Sequence, residues 1–312
     1  MSQHENSAPT ATDQAARLPA TLRLGAVHLT VTDLDRSIAF YEKAVGLKTH
    51  RREEGEAAMG VGGEDLIFLV EEPGARLAGR HAGLYHYALL YPSREDLARA
   101  ALRLAATGTP IQGASDHGTH EAIYLPDPDG NGIELAADRP REAWPDLANP
   151  GWDGGPRPLD MDALLATVTG EQPHREAGPG LAIGHLHLHV GDVDRGLVFY
   201  CDVLGFELVM IFPGQAAFVS AGGYHHHLGF NVWRGEGVPP TPPGRVGLRH
   251  WTVVLDGPEE VAAVRDRVRA AGIGAEEAEG GGFVVRDPWG IATRFVAPDS
   301  RQPARMPRSG VA

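Results

Sequence analysis

Short apolar runs with period-two alternation, each followed by a helical pattern, recur along this chain. From Gly25 to Asp33, Val27, Leu29 and Val31 face one side of a strand, and Ala26, His28 and Thr30 face the other. Asp33 or Asp35 is placed to cap a helix. Ile38, Phe40, Tyr41 and Val45 follow at helical spacing, and Gly46 ends it. Strands are predicted near 49–52, 57–61 and 66–70, which completes a βαβββ unit. A second unit opens at 84–90 and continues in a helix over 93–106 with Leu97, Ala101, Leu102 and Leu104 as its apolar stripe. It closes on a hairpin. There, 122–125 reads as a strand, Asp127-Pro128-Asp129-Gly130-Asn131-Gly132 as a tight turn, and 133–135 as the return strand. Alternation turns Glu134 away from Ile133 and Leu135. A carboxylate on the buried side needs a partner. A salt bridge would serve, and so would a metal ion.

The same pattern returns further on. Residues 183–192 match the first strand, and Asp192 precedes Phe199-Tyr200 as Asp33 precedes Phe40-Tyr41. The fourth unit opens at 248–254, carries a helix over 258–270, and ends on Asp287-Pro288-Trp289-Gly290, which mirrors the earlier turn. Both pairs are separated by near 160 residues, so the chain holds a long repeat with a half-repeat inside it. The expected division is a disordered tail over 1–22, a first domain of two units over 23–141, a linker over 142–180, a second domain over 181–299, and a tail over 300–312. The linker is marked by Pro, Gly and two tryptophans, Trp144 and Trp152, with a short helix over 160–168. The stretch 222–231 reads as the closing strand of unit three. Its His225-His226-His227 cannot share one face, so at most two look inward.

Composition narrows the function. A formal charge of −13, with no basic cluster, argues against nucleic acid and anionic membranes. No run approaches a transmembrane helix, and the first twenty residues lack the apolar core of a signal peptide. The single cysteine, Cys201, fits a reducing cytoplasm.

His117, Ile123-Tyr124, Asp127-Pro128, Gly130 and Glu134 resemble the signature of the extradiol ring-cleaving dioxygenases. Four βαβββ units in two tandem pairs resemble the vicinal oxygen chelate superfamily, which also includes glyoxalase I and the bleomycin-resistance proteins. The unit order and the Asp138 to Trp144 stretch look closest to the Bacillus-type catechol 2,3-dioxygenases. The resemblance implies an α+β fold in which tandem domains form curved mixed-sheet cups with helices outside. It also implies metal ligands at fixed positions on the first and last strands of a unit. His86, Glu134 and His185 fall on those positions. Ala26 and Arg294 occupy the corresponding places elsewhere, so the implied site lies between the two halves. His28 is the competing third ligand, which would complete a site within the first half.

Two imidazoles and one carboxylate suit Fe(II), with Mn(II) as the alternative. The resemblance further implies His226 as acid–base group, with Tyr124 and His117 binding the substrate. The expected partners are a small aromatic diol and O2; homo-oligomerisation is left open. Two other readings stand beside ring cleavage: another metal-dependent enzyme of the superfamily, such as an isomerase, lyase or thiol transferase, and a non-enzymatic bleomycin-resistance-like binder. A glyoxalase-like site usually takes a second carboxylate, and 66–70 contains none.

Overall fold

The computed structural model describes residues 17–147, 155–278 and 280–298. The four predicted units are present. Unit one comprises β1 (Arg23–Val31), α1 (Leu34–Phe40), β2 (Lys48–Glu53), β3 (Glu56–Val61) and β4 (Glu64–Glu71). Unit two comprises β5 (Gly83–Tyr91), α2 (Arg94–Thr107), β6 (Gly113–Asp116), β7 (His120–Pro126) and β8 (Gly132–Asp138). A short strand β9 (Arg157–Pro158) and a helix α3 (Met161–Ala166) follow. Unit three has β10 (Ala182–His189), α4 (Val193–Leu197), β11 (Glu207–Phe212), β12 (Ala216–Ser220) and β13 (Leu228–Asn231). Unit four has β14 (Gly247–Val254), α5 (Pro258–Ala270), β15 (Ala275–Glu277), β16 (Phe283–Arg286) and β17 (Ala292–Val296). Among the described residues no helix is long and apolar enough to cross a membrane.

Helix starts follow the sequence signals. The side chains of Asp33, Ser93, Asp160 and Asp192 each accept a hydrogen bond from the backbone N–H three residues on. After α1 and α4 the chain widens into π-helical turns at Tyr41–Val45 and Val198–Val203. These turns bring Tyr41 and Tyr200 inward, both fully buried. The Tyr41 hydroxyl donates to Asp127 Oδ2 at 3.1 Å, and the Tyr200 hydroxyl donates to Asp287 Oδ2 at 2.9 Å. Each aspartate also accepts two backbone N–H bonds across its own turn. The repeated Phe-Tyr and Asp-Pro pairs thus tie unit one to unit two, and unit three to unit four.

The sheets connect the units differently. One mixed sheet runs β15-β16-β17-β14-β1-β4-β3-β2 and joins unit four to unit one. The other runs β11-β12-β13-β10-β5-β8-β7-β6-β9 and joins unit three to unit two. Each sheet therefore takes one unit from each half of the chain. The antiparallel β10–β5 pair makes the second junction and sets His187 opposite His86. One apolar core runs through both halves, with Tyr87, Phe230 and Trp251 among its fully buried members.

Two boundaries differ from the sequence reading. The expected tail over 1–22 is packed at its end. Leu18 and Leu22 are buried, and the Leu18 N–H donates to the Gly205 carbonyl. Apolar side chains at that spacing found a surface to cover. The last strand of unit three begins at Leu228, not at 222, because Gly222 and Gly223 both adopt positive φ and make a turn instead. Residues 1–16 of the expected first tail, Trp152 and the tail over 300–312 lie outside the described residues.

Candidate metal centre

Glu134 sits in β8, where its side chain is 2% exposed among three imidazoles. His86 on β5 and His185 on β10 bring their Nε2 atoms to 3.0 Å and 3.1 Å from the same oxygen, Oε2. Close approach at this junction needs Gly132 beside His86: a Cβ there would meet the Tyr85 carbonyl at 2.1 Å. His86, Glu134 and His185 offer ligand atoms that all lie within 4.8 Å of one another, and all three residues are buried. The structure therefore brings together the three candidate ligands that the resemblance implies, two from the first half and one from the second.

The donor set fits a divalent metal. Burial raises the Glu134 pKa, but the three imidazoles outweigh it and hold the carboxyl well below its usual range. Burial also pushes His185 down, against the pull of Glu134. Neutral imidazoles and an ionised carboxylate are the forms that ligate a metal. Of the described residues lining this space, Glu134 is the sole carboxylate and none is Lys or Arg. A metal ion would supply the missing positive charge.

His120 was not singled out in the sequence. Its Nε2 lies 3.1 Å from Glu134 Oε1, and its Nδ1 lies 2.9 Å from the Thr119 hydroxyl. The signal was available: β7 starts at His120, and His120 shares parity with Tyr124, whose register partner is Glu134. Starting the strand at Ala122 concealed it. His120 fixes the carboxylate oxygen that His86 and His185 leave free.

Tyr124 is half-buried, and its hydroxyl lies 2.7 Å from His117 Nε2. Burial, then the Glu134 charge, keep that phenol protonated far above its ordinary value. Burial, then neighbouring His120, lower His117 to about 4. His226 is 8% exposed, with its ring centroid 4.1 Å from that of His185. Burial, then the His185 and His225 rings, hold its pKa well below the ordinary value.

The sequence reading turned His225 away from His226, as adjacent residues of a strand. They lie instead in the loop before β13, where strand alternation does not apply, and both line the site. Their Nδ1 atoms are 2.8 Å apart. His225 Nε2 is 3.0 Å from Asp138 Oδ1, whose other oxygen accepts from the Tyr224 hydroxyl at 2.9 Å. Trp144 packs edge-on against His225, with ring centroids 5.2 Å apart.

His28, the competing ligand, belongs to the other sheet. It stacks between Phe68 and His250, with centroids 4.3 Å and 3.8 Å away. Burial lowers the pKa of both histidines, and Arg294, at the position matching Glu134, adds to it. That sheet is built around stacked rings and guanidinium groups.

The site opens into a cavity of about 580 Å³ that His86, His117, Tyr124, Glu134, His185 and His226 all line. A family model described as the glyoxalase/bleomycin resistance protein/dioxygenase superfamily matches residues 23–135 and 182–295. The chain belongs to that superfamily. It is 40% identical over 269 residues to a catechol-2,3-dioxygenase of Bacillus subtilis (strain 168), covering 85% of this chain and 93% of that one. A crystal structure of a putative dioxygenase from B. subtilis shares the fold at 17% identity, with a TM-score of 0.58 over 88% of this chain and 85% of that one. Glyoxalase I from Zea mays does so at 19% identity and a TM-score of 0.55, over 89% and 92%. The superfamily membership and the two matched segments agree with the tandem α+β reading.

Proposed function

We propose that this protein is an extradiol dioxygenase that cleaves a small catechol-type diol with O2, using Fe(II), or alternatively Mn(II), held by His86, Glu134 and His185. The reading is carried by one observation: three buried donors from two halves of the chain converge at a cavity that also holds a tyrosine and further histidines. Identity to the B. subtilis catechol-2,3-dioxygenase supports it.

A metal bound there would supply Lewis acidity toward the diol oxygens and a route to O2 activation. The chain's own residues do the rest. Glu134 offsets the metal's charge, and His120 holds the carboxylate in orientation. Tyr124, kept protonated, donates a hydrogen bond toward a diol oxygen as charge develops on it, and His117 fixes the direction of the phenol O–H. Buried and neutral, His226 could take a proton from the diol and return it to the product. Asp138, through His225, fixes the His226 ring and tautomer. The overall reaction, catechol plus O2, would place both oxygen atoms in a muconic semialdehyde. The lone Cys201 suits a cytoplasmic setting.

The test is direct. Protein reconstituted anaerobically with Fe(II) or Mn(II) is mixed with catechol and then aired. A yellow ring-cleaved product carrying two oxygen-18 atoms from labelled O2 is expected. A colourless mixture with intact catechol would refute the proposal.

A further inference from the structure

The cavity has two unlike sides. On one side lie the metal-site residues, Tyr124 and the polar Gln112 and Ser115. The other side comes from unit three and is mostly apolar: Met210 and Phe212 on β11, Ala216 and Phe218 on β12, and Trp233 beyond β13, with the uncharged amide of Gln215 among them. This apolar wall begins beside the chemistry. Phe218 lies 5.2 Å from the His226 ring and 5.4 Å from the His187 ring. It then runs outward to Phe212, 6.2 Å from Phe218, on the strand that edges the sheet. Trp233 is 55% exposed at the rim and meets Tyr85 edge-on at 5.5 Å.

Charge is as one-sided as shape. Among the described lining residues there is no Lys or Arg. The chain as a whole carries −13, so its long-range field disfavours anions. The volume, about 580 Å³, lies in the range that encloses a drug-sized ligand, well beyond a single unsubstituted ring.

Resting on the ring-cleavage reading above, we infer that the substrate is a catechol bearing an uncharged apolar substituent, an alkyl or aryl group seated against Phe218, Met210 and Phe212, and that carboxylated catechols are rejected. The diol is fixed at the metal-site end, so a substituent on the ring must occupy the space beyond. An apolar group there is removed from water against rings and a thioether. A carboxylate there would be desolvated with no cation to meet it.

The experiment is steady-state turnover of the Fe(II)-loaded enzyme on catechol, 4-ethylcatechol and 3,4-dihydroxyphenylacetate. The expected kcat/KM for 4-ethylcatechol equals or exceeds that for catechol. For the acid it falls below 4-ethylcatechol by about 10²-fold or more, the order set by burying one charge without a partner. Met210→Arg places a guanidinium opposite Phe218, its register partner, from a half-buried strand position. It should move the acid-to-ethyl ratio toward the acid by about tenfold or more. An acid that wild-type enzyme turns over within about tenfold of 4-ethylcatechol would overturn the inference. Cleavage of none of the three diols would be the failure of the ring-cleavage reading, and this inference would fall with it.

Discussion

Replacing His226 with Ala separates binding from chemistry. The ring is buried, touches His185, and shares a 2.8 Å hydrogen bond with His225. Its removal leaves His225 Nδ1 buried without that partner, while His225 Nε2 keeps Asp138. A buried polar group stripped of its partner costs about 1–3 kcal/mol. In a chain of this size that lowers Tm by only a few degrees, so the protein stays folded. None of the three donors at the candidate metal site is altered, and metal content should be unchanged. The rate is another matter. Loss of a positioned acid–base group costs about 10²–10⁴. At about 1.36 kcal/mol per tenfold, the barrier rises by roughly 3–5 kcal/mol. The loss belongs in kcat, because the proton is handled after the diol has bound. The assay is single-turnover and steady-state kinetics on metal-loaded protein, with metal content measured on the same samples. Full activity would refute the acid–base role, and loss of metal would make His226 a ligand.

Other perturbations reach the surrounding parts. Asp138→Asn keeps size but weakens the hold on His225, so kcat should fall by about ten- to a hundredfold with KM little changed, and Asp138→Glu should recover part of it; equal activity in all three would deny Asp138 a positioning role. Burial first, then His250 and nearby arginines, lower His28 to about 3, and burial, then Arg294, lowers His250 to about 4. Both are neutral in the fold, so the stability they confer is full above the ordinary histidine pKa of 6.5 and is lost as pH falls through these lower values. Thermal melts from pH 7 to about 4 should therefore decline, and His28→Gln should decline less steeply; equal slopes would contradict the assignment.

Much of this was legible in the chain, and the failures have physical causes. The units were readable because period-two runs and Asp-capped helices recur at near 160 residues. The Asp-Pro turns and the Phe-Tyr pairs were also visible, but their link was not. It depends on π-helical turns, which leave no periodic signature and which swing Tyr41 and Tyr200 toward Asp127 and Asp287. His86, Glu134 and His185 are the positions that the superfamily resemblance implies once the units are matched, and the structure sets both imidazoles against one oxygen of Glu134. His120 was overlooked because the apolar run alone defined its strand. His225 was turned the wrong way because alternation was carried into a double-glycine turn. Sheet pairing across the halves is a long-range choice that local pattern does not encode, although the distribution of ligands pointed to it.

In the proposed function, one metal site is assembled from both halves of the chain by His86, Glu134 and His185. Its most direct test is metal stoichiometry after anaerobic loading with Fe(II) and removal of free ion. Wild type and His28→Ala are compared with His86→Ala, Glu134→Gln and His185→Ala, each checked for folding by circular dichroism. One tightly held equivalent is expected in wild type and in His28→Ala, and near none in the other three. A folded Glu134→Gln protein that keeps its full equivalent, or a His28→Ala protein that loses it, would refute a site held by His86, Glu134 and His185.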